Sequence, residues 1–273
     1  MTEFAALTHP GNRGGENQDS IGWDTRQRLW FVADGMGGHA SGEVASRLVK
    51  DTLLAQAATV GVPAAVLMAH EAVLHEAAQR DLPRGMGSTI VTAQITDQRS
   101  AQIVWVGDSR AYLWRGGSLS RLTRDHSYLE MLRAESDLSE SDLRERAGAN
   151  VVTQALGMGT PDPSQTNVPL RRGDWLILCS DGLPVELLDS EIAEILAKHV
   201  SPKAAADALF AATMEHGARD NVSIIVIPYD GPNARGTWDL RSAFRGRSFE
   251  WLAVLAGVVL AAAIALIWKR WIH

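Results

Sequence analysis

Four aspartates lie next to short apolar runs, and this placement indicates a site built from carboxylates. They are Asp34, Asp108, Asp181 and Asp220. The first three follow an apolar run, and the fourth precedes one. Because the end of one antiparallel strand lies beside the start of its neighbour, such residues can meet at one rim of a sheet system. We therefore expect the four side chains to converge.

Carboxylates that converge need a partner of opposite charge. They repel one another and take up protons unless a cation neutralises them. Oxygen donors without a His or Cys cluster favour a hard ion such as Mg²⁺ or Mn²⁺ over zinc. The pattern predicts a metal site, and water activated by two bridged metals is one general solution for phosphoester hydrolysis.

Other chemistries fit the sequence less well. The glycine-rich segment 35–42 lacks the Lys-Ser/Thr of a P-loop, and Ser109 is not in a Gly-x-Ser-x-Gly motif. Cys179 is followed by Ser180-Asp181, and a carboxylate there would repel phosphate and raise the pKa of the thiol. A structural calcium-binding protein would need a D-x-D-x-D-G loop, which the chain lacks.

The elements that would position these residues can be predicted from periodicity and turn formers. The apolar run Leu29–Ala33 predicts a strand that stops at Asp34, followed by a glycine turn within Phe31–Glu43 and a helix over about 41–57. The charged segment 125–147 is predicted to be a mobile, exposed insertion. Further strands are predicted at 4–9, 20–24, 88–95, 101–106, 111–114, 118–122, 151–156, 166–170, 175–179 and 222–227, and further helices at about 63–79, 189–199 and 201–217. This order predicts an α+β domain of antiparallel sheets covered by helices.

Composition limits the function classes. With 273 residues and 46% hydrophobic content, the chain can bury one large domain and carry an appendage. A net charge of −6 without a basic stripe argues against nucleic-acid binding. The one cysteine argues for a reducing compartment, and the N-terminus lacks the pattern of a signal peptide.

The C-terminal segment has the features of a membrane anchor. Trp251–Trp268 is 18 residues without a charge and has Trp at both ends. We predict a phosphoesterase domain over 1–230, a linker over 231–248 and a transmembrane tail anchor over 249–270. Arginines are denser before this segment than after it, so the positive-inside rule predicts a single pass through the plasma membrane with the catalytic domain in the cytoplasm.

Five motifs together resemble one enzyme family. They are Asp34–Ser46, Gly85–Thr89, Gly107–Arg110, Ser180–Leu183 and Arg219–Val222. Their order is similar to that of the bacterial type 2C (PPM) metal-dependent Ser/Thr protein phosphatases, over about residues 4–228. The resemblance implies a four-layer αββα sandwich, phosphorylated proteins as substrates, an opposing Ser/Thr kinase, and two Mn²⁺ or Mg²⁺ ions with a weaker third.

The resemblance also implies a role for each site residue. Asp34 would bridge the two ions, with the Gly35 carbonyl on one of them. Asp181 and Asp220 would hold the other, and Asp19 would reach the metals through water. Asp108 and Asp181 would form the third site. His39 matches a position proposed as the general acid, and its alternative is a solvent-facing loop histidine.

The sequence departs from the family pattern at three positions. The phosphate-binding arginine is displaced by one residue to Arg13, with Gly14 in its usual place. Val185 replaces an acid that often follows the metal aspartate, and Glu186 comes next. Gln18 replaces an acid of many relatives. The shift of Arg13 keeps open a second class, a pseudo-enzyme that binds phosphoproteins.

Overall fold

The computed structural model describes residues 3–12, 14–37, 41–80, 82, 85–96, 99–135 and 151–232. The chain divides into two compact units, Met1–Arg235 and Gly236–His273, and all of the described residues belong to the first. The predicted anchor over 249–270 and nearly all of the linker lie outside them. Within the described ranges, no helix has the length and apolar character that a membrane crossing requires.

Eleven strands of the described chain form two antiparallel sheets. The first sheet has the order β1 (Ala5–His9), β11 (Val222–Tyr229), β10 (Asp174–Cys179), β7 (Arg110–Arg115) and β8 (Ser118–Arg121). The second has the order β2 (Asp19–Asp24), β3 (Leu29–Met36), β5 (Ile90–Ile95), β6 (Ser100–Val106) and β9 (Ser164–Pro169), and the short β4 (Gly87–Ser88) pairs with β3. Both sheets agree with the predicted class.

Helices cover the outer faces of both sheets. The helices of the described chain are α1 (Ser41–Val60), α2 (Val62–Gln79), α3 (Tyr128–Glu135), α4 (Gly182–Glu186), α5 (Asp189–Ala197) and α6 (Pro202–His216). Helix α1 packs on β2 and β3 and against α2, whereas α6 packs on β1 and β11. Strands β10 and β11 contact β3 across the interior, so the layers run helix, sheet, sheet, helix.

Strand β3 lies at the centre of this arrangement. Its residues Leu29, Phe31 and Ala33 belong to the core between the second sheet and helices α1 and α2. Trp30 and Val32 alternate with them and are buried as well. Successive side chains of a strand point to opposite faces, so a strand that is buried on both faces has apolar residues at every position of its sequence. This explains why the sequence shows no alternation there.

Several predicted elements differ from the structure. Strand β3 continues through Asp34 to Met36 because Gly35 and Met36 pair with β4. The predicted strand 151–156 forms only isolated bridges. The predicted insertion is only partly exposed at its start, since Asp125 and Glu130 are buried whereas Tyr128 and Met131 are exposed. Three arginines surround Glu130, namely Arg121, Arg124 and Arg133. The charged residues that favoured an exposed segment in the sequence include the arginines that pair with the buried Glu130. Residues 136–147 lie outside the described residues.

Candidate active site

The second sheet positions Asp19 and Asp34 beside each other. They are direct partners in the β2–β3 pairing. The next residue, Gly35, donates its N–H to Gln18 O (3.1 Å). A Cβ on Gly35 would lie only 1.9 Å from Gly42 O, so a side chain there would push α1 away from β3. The glycines of this motif therefore bring the start of α1 against the strand that carries Asp34.

The first sheet supplies Asp181 and Asp220 from neighbouring strands. Asp181 follows β10 at the N-cap of α4, and Asp220 lies just before β11. A Cβ on Gly182 would lie 2.0 Å from Asn221 O, so these two turns pack backbone against backbone. The structure thus brings together aspartates that are distant in sequence.

Asn221 joins the two sheets at this rim. Its Oδ1 accepts a hydrogen bond from Gln18 N (2.7 Å), and its Nδ2 donates to Pro10 O (3.0 Å). The sequence places Asn221 in the motif Arg219–Val222 but indicates no role for it. Its structural role depends on partners about two hundred residues away, which one sequence does not reveal.

Glu186 is paired with Arg219 beside the site. Its Oε1 accepts from Arg219 N (2.8 Å) and Nε (3.0 Å), and its Oε2 accepts from Nη2 (3.1 Å). This pair fixes the turn that ends at Asp220. Glu186 therefore does not take the place of the acid that Val185 replaces.

Asp108 sits in a turn that is held on both sides. On one side, Thr89 Oγ1 accepts from Asp34 N (3.1 Å) and lies 2.7 Å from Ser109 Oγ. Ser109 is buried in this contact, which agrees with rejecting it as a hydrolase nucleophile. Thr89 thereby connects the backbone at Asp34 with the residue that follows Asp108.

On the other side of this turn, His126 forms two hydrogen bonds with Gly107. Gly107 N donates to His126 Nδ1 (3.2 Å), and His126 N donates to Gly107 O (2.9 Å). His126 Nε2 lies 3.0 Å from Ser164 Oγ, and its ring stacks on Trp105. Burial lowers the pKa of His126. A neutral ring suits these contacts, because Nδ1 must accept a hydrogen bond.

Hydroxyl groups orient Asp19. Ser180 Oγ donates to Asp19 Oδ2 (2.7 Å) and accepts from Ser223 N (3.0 Å). Ser223 Oγ in turn lies 2.8 Å from Thr8 Oγ1. The other carboxylate oxygen, Asp19 Oδ1, is buried without a hydrogen-bond partner among the described residues. A buried acceptor without a partner is costly, so this oxygen indicates a missing ligand or water.

Electrostatics show that the aspartates form one cluster. Burial, and after it the neighbouring aspartates, raises the pKa of Asp34 well above its ordinary value. Burial also raises the pKa of Asp19 to about 7, that of Asp108 to about 7 and that of Asp181 to about 6. Asp19 and Asp108 are buried and Asp220 is exposed, so the cluster opens to solvent on the Asp220 side.

The donor set fits hard divalent cations. Burial, and after it repulsion from the neighbouring aspartates, raises the pKa of Asp34 and Asp181, and a cation would relieve that repulsion. Across the described part of the chain, no three His, Cys, Asp or Glu side chains form a ready-made ligand set for one ion. The chemistry of the oxygens and the unpartnered Asp19 Oδ1 fit such ions, and some side-chain adjustment would complete the coordination.

Cys179 is excluded as a nucleophile by its surroundings. The side chain is fully buried in β10, and burial raises the pKa of its thiol to about 12. A thiolate is the reactive form, so this thiol is inert at neutral pH. Arg13 and His39, the predicted phosphate ligand and general acid, lie outside the described residues.

Comparison with known proteins identifies the family. The family model for protein phosphatase 2C matches residues 9–223. The chain belongs to the protein phosphatase 2C family. It is 33% identical to the serine/threonine phosphatase stp of Listeria monocytogenes, over 81% of this chain and 91% of that protein. The predicted enzyme class, a protein serine/threonine phosphatase, is confirmed by these relatives.

Solved phosphatase 2C structures share the fold. The catalytic domain of PstP in complex with two manganese ions superposes with a TM-score of 0.73 at 29% identity, covering 84% of this chain and 98% of that one. PppA of Pseudomonas aeruginosa, described as a regulatory component of a type VI secretion system (T6SS), gives a TM-score of 0.71 at 35% identity, covering 83% of this chain and 96% of that one.

Proposed function

We propose that this phosphatase hydrolyses phosphoserine and phosphothreonine in proteins with two Mn²⁺ or Mg²⁺ ions held by the aspartate cluster. The observation that carries the proposal is the cluster itself. Burial, and after it repulsion between carboxyl groups from both sheets, raises the pKa values of Asp19 and Asp34, and one buried oxygen of Asp19 has no partner in the described chain. The related PstP domain was solved with two manganese ions.

In this proposal, Asp34 and the Gly35 carbonyl, together with Asp181 and Asp220, would hold the two ions. Asp19 would contact a metal-bound water through its unpartnered Oδ1. Asp108 and Asp181 would hold a weaker third ion. When bound, the ions supply a water of lowered pKa and neutralise the charge of the phosphoryl group.

The remaining residues orient the site and the substrate. Ser180 holds one oxygen of Asp19, while Thr89 and His126 fix the turns that carry Asp34 and Asp108. We propose that Arg13 binds the substrate phosphate and that His39 donates a proton to the leaving oxygen of the serine or threonine. Asp220 is exposed, so a substrate phosphate would approach the cluster from this side.

Hydrolysis of short phosphopeptides by the full-length chain tests this function. Peptides carrying phosphoserine or phosphothreonine should be hydrolysed with Mn²⁺, and EDTA should abolish turnover until Mn²⁺ is restored. A phosphotyrosine peptide of the same sequence serves as the control and should react far more slowly. Metal-independent turnover, or phosphopeptide binding without turnover, would favour the pseudo-enzyme alternative.

We further propose that the enzyme is tethered to the plasma membrane by Trp251–Trp268, faces the cytoplasm and opposes a Ser/Thr kinase. At about 1.5 Å per residue, this segment is long enough to cross a bilayer core as a helix. The full chain should stay with membranes after carbonate extraction, and a C-terminal tag should be accessible only from outside. Release by high salt, or a tag protected on the cytoplasmic side, would contradict the tether or its orientation.

A further inference from the structure

A small pocket lies at the end of β3, close to the aspartate cluster. Its volume is about 180 Å³. Sites for whole small molecules are larger, at about 300–1,000 Å³. The apolar residues that line the pocket are Met36, Val152, Ala155, Met158 and Pro161, and none of its other lining residues in the described chain carries a charge. The pocket therefore has the size and the character to hold one apolar side chain.

The pocket shares a face of β3 with Asp34. Gly35 faces α1, because a Cβ there would lie 1.9 Å from Gly42 O. The strand continues to Met36, and successive residues of a strand point to opposite faces, so Asp34 and Met36 both point away from α1. Two residues of a strand span about 7 Å, so the pocket begins about 7 Å from the proposed bridging aspartate.

Met158 lies on the same face as Met36. Met36 pairs directly with Gly87 of β4, so side chains at these two positions would share one face. A Cβ on Gly87 would lie 2.9 Å from Met158 Sδ, which places the Met158 side chain over Gly87. Met158 is 45% exposed, so the pocket is open to solvent on this side. Two flexible thioether side chains therefore form its walls, and such side chains adapt to different apolar ligands.

Hydrogen bonds hold the segment 152–161 against β4 and α2. Ser88 N donates to Leu156 O (3.0 Å), and Leu156 N donates to Ser88 O (2.8 Å). Gly157 N donates to Nδ1 of His70, a buried residue of α2 (2.9 Å). The pocket is thus preformed, and a preformed site loses little free energy to ordering when a ligand binds.

We propose that this pocket binds an apolar side chain of the substrate, one or two positions from the phosphorylated residue. The inference rests on the proposed function, because the cluster must hold the phosphate for a neighbouring side chain to reach the pocket. Neighbouring residues of an extended peptide are about 3.3 Å apart, so one or two positions cover the distance from Asp34 to Met36.

The uncharged lining sets the preference of the pocket. A charged side chain would lose water there without gaining a partner, whereas Leu, Ile or Met gains from burial. The pocket lies beside the cluster on one face of β3, so a peptide that presents its phosphate to the cluster is the ligand that can reach it. The enzyme therefore selects phosphoproteins with an apolar residue next to the phosphorylated serine or threonine.

Steady-state kinetics of the full-length chain with Mn²⁺ and phosphothreonine heptapeptides tests the proposal. Each peptide has alanine on both sides of a central phosphothreonine, and Leu replaces one alanine at a time. Leu should raise kcat/KM about tenfold at one position within two residues of the phosphothreonine, mainly by lowering KM. Asn has nearly the shape of Leu but is polar, and it should give no gain at that position. An equal gain from Asn, or no gain from Leu at any of these positions, would refute the apolar pocket.

Variants assign the preference to this pocket. Met158→Asp places a carboxylate on the wall, so it should abolish the preference for Leu and favour Arg at the same position. Met158→Ala shortens the wall without adding a charge and should reduce the preference to about threefold. Met68→Asp makes the same substitution at a methionine of α2 that is 40% exposed, and it should leave the preference unchanged.

N-acetyl-phosphothreonine amide separates this inference from the proposed function. It has no neighbouring side chain, so both Met158 variants should hydrolyse it as fast as the unaltered chain, which also shows that they are folded. A preference for Leu that survives in both variants would overturn the assignment to this pocket. Hydrolysis of the amide without any preference for Leu would refute the pocket and leave the proposed function intact. Failure of the unaltered chain to hydrolyse the amide and every peptide would overturn both.

Discussion

At the scale of single residues, Asp19 shows how neutral hydroxyl groups can position a charge. Ser180 occupies one carboxylate oxygen and leaves the other without a partner among the described residues. Ser180 itself is fixed by Ser223 N. This arrangement points one oxygen to the protein and, in the proposed function, would leave the other for a metal-bound water. Asp19 carries the charge, and the hydrogen bonds of its neighbours fix the orientation of its carboxylate.

Ser180→Ala should therefore weaken metal binding without unfolding the protein. It removes the donor to Asp19 Oδ2 and lets that side chain rotate. We expect Mn²⁺ affinity to fall about tenfold, the effect typical of residues that orient metal ligands. Calorimetric Mn²⁺ titration measures this, with the exposed Ser190→Ala as the matched control. Unchanged affinity in Ser180→Ala would show that the hydroxyl has only a packing role.

At the scale of secondary-structure elements, the positions of the aspartates could be predicted but their connections could not. The apolar runs that precede Asp108-Ser109 and Asp181-Gly182 predicted β6 and β10. A buried strand can be predicted in this way because its apolar character is visible in its own residues. The structural roles of Thr89, His126 and Asn221 stayed hidden because each depends on a partner from another element. The segment 151–156 has strand-like residues, yet it finds only isolated bridging partners.

His126→Ala should loosen the turn that carries Asp108. The substitution leaves Gly107 N without its acceptor and removes the contact with Ser164. A lost buried hydrogen bond of this kind should lower the free energy of unfolding by about 1–3 kcal/mol. If His126 also positions Asp108, kcat should fall while KM for the phosphopeptide stays similar.

Urea unfolding and steady-state kinetics separate these two effects. The matched control is His75→Ala, an exposed histidine on α2 whose Nε2 lies 2.8 Å from Gln79 Nε2. It should change neither quantity. A His126→Ala enzyme with reduced stability but normal kcat would restrict His126 to a structural role.

At the scale of the whole molecule, the cluster links stability to pH. The pKa values of Asp19 and Asp108 are raised to about 7, and that of Asp181 to about 6, mainly by burial. Without metal, these carboxyl groups stay protonated in the folded state at pH values where the unfolded chain has already released the same protons. Their contribution to stability is fully present below the ordinary carboxyl pKa and is lost as pH rises through about 6 to 7.

Metal-free protein should therefore be less stable at about pH 8 than at about pH 5.5, and Mn²⁺ should stabilise it most at the higher pH, where it displaces no protons. Urea unfolding in EDTA and in Mn²⁺ at both pH values measures this. Asp19→Asn removes one of the titrating groups and should flatten the metal-free dependence. A metal-free protein that gains stability toward pH 8 would contradict the cluster's electrostatics.

The central claim is that Asp34 holds both catalytic ions, and Mn²⁺ binding stoichiometry tests it most directly. Calorimetric titration of the full-length chain should give two ions per chain. Asp34→Asn keeps the shape of the side chain, removes the bridging charge and should abolish tight binding of both ions together with turnover. Asp51→Asn, an exposed change on α1, should retain both. Two tightly bound ions in Asp34→Asn, or none in the unaltered chain, would contradict the account.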